Sequence, residues 1–229
     1  CYATAERPGF QRLVFPELSA FKWYMWNRTS WEIPVFAKPN FHPDMFIKDA
    51  ETERLRLSVL QLWNSFPSEE FWTSHMLDNT LSQLCYMAYD GSFADPDTAA
   101  MLGSQLLSLV DIWEEMADTG LKPPIENASR RMPFTLCHNE ITHTNNTFFV
   151  ASPHVRQALL TVDNPQVMST TDPAFCTYIE SWIDKIRHRS LRISVEGEKH
   201  RKKYFNALRQ KVNDTLQEID TLGEPNGGN

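Results

Sequence analysis

The sequence has little glycine, no long apolar run and none of the short motifs that identify common enzyme classes. Only eight of its 229 residues are glycine, which excludes collagen-like and glycine-rich low-complexity chains. No stretch reaches the roughly 18 apolar residues that a membrane-spanning helix needs, so we expect no transmembrane segment. Because no P-loop, nucleophile elbow or HExxH helix is present, we assign no catalytic residue, metal site or cofactor, and the sequence favours a non-enzyme.

The chain contains few cysteines, and none of them has the close spacing of a zinc or redox site. The candidates for disulfide bonds are Cys1, Cys85, Cys137 and Cys176. An even number of cysteines allows two disulfides with three connectivities, and we expect both bonds to form. A first residue other than methionine indicates a processed or excised terminus.

Asn-x-Ser/Thr sequons are more frequent than the composition predicts by chance. The candidate glycosylation sites are Asn27, Asn127, Asn145 and Asn213. Together with the even number of cysteines, they favour a secreted or extracellular glycoprotein. The alternative location is an organelle, because an organellar subunit with buried thiols would have the same composition.

Residues 1–46 form an aromatic segment interrupted by proline, with Trp23, Trp26, Trp31 and Phe36 close together. We predict an irregular N-terminal arm that packs these rings on the core, because soluble chains rarely leave large apolar patches exposed. The alternative is that the arm is an exposed aromatic platform for a partner.

The rest of the chain, 47–229, has mostly helical spacing of its apolar residues. Helices are predicted over about 47–66, from Ser68, from Asp95 to Gly120, from Asp172 and over 197–222. Several of these starts have a Ser or Asp N-cap, followed in two cases by proline. We therefore predict a mainly α-helical protein, a bundle of about five to six helices. The proline-rich stretch 120–133 is a candidate sub-boundary within this helical domain.

The stretch 134–151 is strand-like on both sides of two consecutive asparagines, Asn145 and Asn146. Asparagine tolerates the positive φ angles of a two-residue turn, so we predict a short β-hairpin near 134–151 with Asn145 at its exposed tip. Ser152 and Pro153 then have the pattern of a helix start, which predicts a short helix over 154–162.

Dispersed histidines and carboxylates are the first places to look for an active site. His138 and Glu140 would share a face of a strand, which allows an acid–base pair. His42 has the H-x-D spacing of an iron site, but the sequence predicts too few strands for the barrel that usually carries such a site. Ser74 and His75 are neighbours on a predicted helix, where adjacent side chains point apart. We favour structural roles for all five residues.

The positive charge is concentrated in residues 185–211. This segment holds ten of the 22 lysines and arginines and two of the 29 acids, a net charge of +8, against −15 for the remainder. The candidates for binding an anionic ligand are Arg187, Arg189, Arg192, Lys199, Arg201, Lys202 and Lys203. Such a segment could bind a polyanion, or it could pack against the acidic helices of the same chain.

These patterns favour a binding function. We expect an extracellular helical glycoprotein that acts as an interaction module for a protein or an anionic ligand. One alternative is a structural subunit of a larger assembly, with the tryptophan arm as its interface. A second alternative is an enzyme whose site is assembled from dispersed residues, with His138, Glu140 and His42 as the first candidates.

Overall fold

The computed structural model describes residues 9–15, 54, 57–58, 61–91, 97–123, 131–140, 146–152, 154–163, 166–194 and 197–223. The strands are β1 (Phe10–Phe15), β2 (Ser68–Trp72), β3 (Phe134–His138), β4 (Thr147–Ala151), β5 (Arg156–Asp163) and β6 (Gln166–Thr170). The helices with defined bounds are α1 (Asp78–Tyr89), α2 (Asp97–Thr119), α3 (Pro173–His188) and α4 (Glu198–Gly223). Residues 61–64 form a further helical turn.

The six strands form one mixed sheet with the order β3-β2-β1-β4-β5-β6. Strands β3, β2 and β1 are parallel, whereas β4 is antiparallel to β1, and β5 and β6 continue the antiparallel half. The prediction of a mainly α-helical bundle is therefore wrong, and the fold is α/β. In the parallel half, the carboxyl ends of the strands meet at the same edge of the sheet.

The prediction of a helix from Ser68 is wrong because the segment forms the buried strand β2. Ser68, Glu69 and Glu70 have the composition of a helix start, but the strand is flanked by β1 and β3, and four of its five residues are buried. Tertiary burial of Phe71 and Trp72 on opposite faces of the sheet outweighs the local preference for a helix. The helix that follows begins only at Asp78.

Strands were correctly predicted on both sides of Asn145, but the prediction that these strands form a hairpin is wrong. Strand β3 pairs with β2, and β4 pairs with β1 and β5, so the two strands do not pair with each other. The predicted helix over 154–162 is also wrong, because this segment is β5. Part of the predicted irregular arm, Phe10–Phe15, is the central strand β1, and residues 16–46 lie outside the described residues.

Helices cover both faces of the sheet and divide the core into two clusters. On one face, α1, α2 and α4 bury Leu13, Trp72 and Leu136, with the rings of Trp72 and Trp113 edge to face at 4.9 Å. On the other face, α3 buries Phe71 and further apolar side chains against the sheet. The molecule is thus a three-layer α/β/α arrangement, because each strand of the parallel half contributes side chains to both clusters.

Several helix boundaries agree with the sequence prediction. Asp172 caps α3 by accepting a 2.7 Å hydrogen bond from the amide of Phe175, and Pro173 is the first helical residue. Gly120 follows α2 with a φ angle of 65°, the left-handed conformation that favours glycine at a helix end. The long C-terminal helix, predicted over 197–222, is α4. The predicted sub-boundary at 120–133 stays a prediction.

A buried polar cluster lies between the sheet and α2. The carboxylate of Glu70 accepts hydrogen bonds from the indole nitrogens of Trp63, at 3.3 Å, and Trp72, at 3.0 Å. The ammonium group of Lys122 donates to the carbonyl oxygens of Trp63 and Phe66, and lies 3.8 Å from the centre of the Trp63 ring. Glu70 and Lys122 are both fully buried, so these contacts replace the water that each charge loses on folding.

The expectation of two disulfides is wrong for the described residues. Cys85, Cys137 and Cys176 are free thiols, and Cys1 lies outside the described residues. Cys137 and Cys176 are buried in the core on the α3 side of the sheet, where small apolar side chains are needed. Within the same residues, no helix combines the length and the apolar character that crossing a membrane requires.

Candidate functional site

The carboxyl ends of β2 and β3 carry a group of polar side chains. Thr73, Ser74 and His75 follow β2 and lead into α1, while Asn139 and Glu140 follow β3. The amide of Asn139 donates to the carbonyl of Trp72 at 2.8 Å, so the two chain segments remain adjacent beyond the last paired residues. Segments that follow neighbouring parallel strands are the usual place for a site in an α/β fold.

The outer edge of β3 is covered by the segment that follows α3. His138 and Leu191 exchange both backbone hydrogen bonds, at 2.7 and 2.9 Å. Asn139 donates from its side chain to the carbonyl of Ile186 and to the hydroxyl of Ser190, at 3.2 and 3.0 Å. These bonds fix the backbone that presents His138 and Glu140.

Glu140 accepts hydrogen bonds on both of its carboxylate oxygens. The hydroxyl of Ser74 donates to Oε2 at 2.8 Å, and Nε2 of His138 lies 2.8 Å from Oε1. The Ser74 bond is the largest influence on Glu140 and lowers its pKa, and the contact with His138 and the charge of His75 lower the pKa further, whereas partial burial opposes them. Glu140 is therefore ionised at neutral pH, although its side chain is 59% exposed.

A second histidine–carboxylate pair lies at the start of α1. Nδ1 of His75 is 2.6 Å from Oδ2 of Asp78, and Lys211 of α4 donates to Oδ1 of Asp78 at 2.5 Å and to the carbonyl of Ser74 at 2.8 Å. Burial raises the pKa of Asp78, but the hydrogen bonds from Lys211 and His75 outweigh burial, so the net shift is downward. A carboxylate on Nδ1 fixes the ring and leaves Nε2 for other contacts.

The two histidines differ in what they present to solvent. The side chain of His75 is 59% exposed, whereas that of His138 is 18% exposed and its Nδ1 is buried without a hydrogen-bond partner among the described residues. The ring of His138 packs edge to face on Tyr204 of α4, with centroids 5.2 Å apart. Burial, followed by the charge of Glu140, raises the pKa of Tyr204, so its hydroxyl stays protonated. His138 thus binds Glu140 from a more buried position.

This geometry is suited to acid–base chemistry rather than to a serine triad. In a triad the histidine lies between the serine and the acid, whereas here Glu140 lies between Ser74 and His138. The groups that face solvent are the carboxylate of Glu140 and the imidazole of His75. Each is held by a second side chain, Glu140 by His138 and His75 by Asp78, which is how acid–base residues are oriented.

Comparison of the chain with protein-family models, with curated proteins and with solved structures found no match. The function is therefore inferred from the geometry of the site itself.

The structure brings together two of the three residues that the sequence suggested for an assembled site, His138 and Glu140. The third, His42, lies outside the described residues. Ser74 and His75 were set aside because a helix was predicted there, but they lie in the connection between β2 and α1. The apolar pair Phe71 and Trp72 just before this connection was the available signal for a strand followed by a loop.

The seven basic candidates divide into two groups. Arg187 contacts Glu69 at 3.0 Å, Arg201 contacts Asp118, and Lys202 contacts Glu198 at 2.5 Å. The other candidates are exposed, and no carboxylate of the described residues is within ion-pair distance of them: Arg189, Arg192, Lys199 and Lys203. Arg201 and Lys202, with Arg209, face a charged groove of about 600 Å³ between α2 and α4.

The glycosylation candidates are largely outside the region that can be described. Asn213 lies on α4 and is exposed, while Asn27, Asn127 and Asn145 fall outside the described residues. Within the described ranges, no three His, Cys, Asp or Glu side chains have a geometry that could hold a metal ion. Cys137 is an unreactive thiol, because burial and then the charge of Glu69 raise its pKa to about 12.

Proposed function

We propose that this chain is an enzyme that cleaves an ester-type bond by general acid–base catalysis at the carboxyl ends of β2 and β3. The observation that carries the proposal is the arrangement of two solvent-facing groups, Glu140 and His75. Each is held by a side chain two or three positions away in the chain, and the hydroxyl of Ser74, 66 residues earlier, binds Glu140 from the connection after β2. Titratable groups that are held by hydrogen-bonding partners at the carboxyl ends of parallel strands are candidates for catalytic residues.

Glu140 serves as the general base and His75 as the general acid. The ionised carboxylate takes a proton from an attacking hydroxyl or water as its oxygen bonds to the carbonyl carbon or phosphorus. The bond to the leaving oxygen then breaks, and the Nε2 proton of an imidazolium His75 passes to that oxygen. A positioned base or acid contributes a factor of about 10²–10⁴ to the rate.

The neighbouring side chains position these two groups. Ser74 and His138 bind the two oxygens of Glu140 and keep it ionised, and Asp78, which Lys211 binds in turn, orients the ring of His75. Ser74 is therefore assigned to positioning and not to nucleophilic attack.

Turnover of small chromogenic esters tests the proposal. The wild-type chain is expected to hydrolyse p-nitrophenyl acetate or bis(p-nitrophenyl) phosphate, and Glu140→Gln and His75→Gln should each reduce kcat by about 10²-fold or more. The matched controls are Glu180→Gln, on the opposite face of the sheet, and His154→Gln, in the exposed connection from β4 to β5. Equal activity in all five proteins, or in none, would reject the assignment.

The binding functions expected from the sequence stay predictions. They are an interaction module for a protein or anionic ligand and, as the alternative, a structural subunit of an assembly. A secreted or extracellular location also stays a prediction, and it now depends on the sequons alone, because the described cysteines are free thiols.

A further inference from the structure

Four exposed cations lie on the two chain segments that contact His138. Arg189 and Arg192 flank Leu191, whose backbone pairs with that of His138 at the edge of β3. Lys203 precedes Tyr204, whose ring packs on His138, and Lys199 lies one helical turn earlier on α4. We call Arg189, Arg192, Lys199 and Lys203 the cationic rim. The rim residues therefore lie on the two chain segments that border His138, and the side chain of Arg192 also contacts the thiol of Cys137.

The rim differs from the other basic residues of the segment 185–211 in its partners. Arg187 and Lys202 are each within 3.0 Å of a carboxylate, so their charge is compensated inside the molecule. The four rim residues have no such carboxylate among the described residues. An uncompensated group of cations next to a site attracts a ligand of the opposite charge, even though the whole chain carries a net charge of −7.

The openness of the site indicates a large substrate. Sites for small molecules are concave and bury most of the ligand. Glu140 and His75 instead have side chains that are each 59% exposed. An extended polymer can pass over such an edge, with one bond at the acid–base pair and its neighbouring groups on the rim. Among polyanions, those linked through phosphodiesters combine a charge on every unit with a cleavable ester bond.

We propose that the substrate is single-stranded RNA, which the rim binds through its phosphates and the acid–base pair cleaves; this rests on the proposed function. RNA supplies its own nucleophile. Glu140 takes the proton of a 2′-hydroxyl, O2′ bonds to the adjacent phosphorus, the bond from phosphorus to O5′ breaks, and His75 gives its proton to O5′. The products are a 2′,3′-cyclic phosphate and a 5′-hydroxyl, with no further reactant.

Cleavage of a labelled single-stranded RNA by the full chain is the test. We expect 2′,3′-cyclic phosphate ends from RNA and no cleavage of the corresponding DNA, which lacks the 2′-hydroxyl nucleophile. The variant Arg189→Gln/Arg192→Gln and the variant Lys199→Gln/Lys203→Gln should each raise KM about tenfold with little change in kcat, since phosphate contacts position the substrate. The salt dependence of log kcat/KM should weaken by about 0.7 per lost contact with a single strand.

The matched control is Arg187→Gln/Lys202→Gln. It removes two positive charges from the same segment, but from residues that form ion pairs with carboxylates of the chain. Its KM for RNA should remain within about twofold of the wild-type value, because neither residue belongs to the rim. Equal effects of the control and the rim variants, or equal cleavage of DNA, would overturn the RNA assignment. Hydrolysis of a small chromogenic ester that depends on Glu140, without RNA cleavage, would reject the RNA substrate and leave the acid–base site standing. RNA cleavage that persists in Glu140→Gln would reject both.

Discussion

The hydroxyl of Ser74 donates a 2.8 Å hydrogen bond to the carboxylate of Glu140, 66 residues further along the chain. The bond joins the connection after β2 to the residues after β3, and it exists because these two parallel strands are neighbours in the sheet. It also keeps Glu140 ionised, since a donor on a carboxylate stabilises the charged form.

Replacing Ser74 by alanine should raise the pKa of Glu140 towards its usual value of about 4.3. The bond from Ser74 is the largest cause that lowers this pKa. A lowered pKa in the folded state stabilises the fold above the unfolded pKa, and this contribution is lost as the pH falls through the folded pKa. The stability difference between wild type and Ser74→Ala should therefore be larger at pH 7 than at pH 3. Urea unfolding at both pH values measures it, with the exposed Ser104→Ala as the control.

The three described cysteines should behave as free thiols of different accessibility. Cys137 and Cys176 are buried, whereas Cys85 is partly exposed, so of these three only Cys85 should react with a thiol reagent in the native protein. The other two should react only after unfolding, as peptide mapping of the labelled cysteines would show, and Cys85→Ser should leave no native labelling among the three positions. A mass that shows a disulfide between any two of these residues would contradict the structure.

Lys122→Met should destabilise the fold by about 2 kcal/mol, since hydrogen bonds to a charged group contribute about that much. The variant removes the donor to the carbonyl oxygens of Trp63 and Phe66 and the charge above the Trp63 ring. Chemical denaturation measures the change. Lys185→Met, an exposed residue of α3, is the control and should have little effect. If Lys122→Met lowered the free energy of unfolding no more than the control does, the buried ammonium group would not stabilise the fold.

Asp172→Ala should destabilise α3 by about 1 kcal/mol, the usual effect of losing an N-cap. The carboxylate of Asp172 accepts the hydrogen bond of the Phe175 amide, which has no earlier carbonyl partner in the helix. Asp172→Asn should retain most of the stability, because asparagine caps nearly as well. Thermal unfolding of the three proteins distinguishes a cap from a general effect of charge.

The parts of the fold that could be predicted are those with strong local signals. Asp172 followed by Pro173 and the regular apolar spacing of α4 gave correct helices, because these signals act within a few residues. Strand β2 was missed because Ser68, Glu69 and Glu70 resemble a helix start, a local signal stronger than the apolar pair at the end of the strand. The indole donors of Trp63 and Trp72 help to make the burial of Glu70 favourable, and their approach is a consequence of the fold.

The candidate site was predictable in part for the same reason. His138 and Glu140 are two residues apart, so their proximity follows from the local chain. Their contact with Ser74 depends on the pairing of β2 with β3, and the contact of Asp78 with Lys211 depends on the packing of α1 on α4. Neither of these tertiary contacts can be predicted from the spacing of residues along the chain.

The pH dependence of kcat/KM in wild type, Glu140→Gln and His75→Gln is the most direct test of the acid–base assignment, with bis(p-nitrophenyl) phosphate as substrate. The wild-type value should fall at low pH, because the base Glu140 must be ionised. Glu140→Gln should lose this acid limb, and Glu140→Gln and His75→Gln should each lower the maximum by about 10²-fold or more. Profiles that keep the shape and height of the wild-type curve in both variants would contradict the assignment.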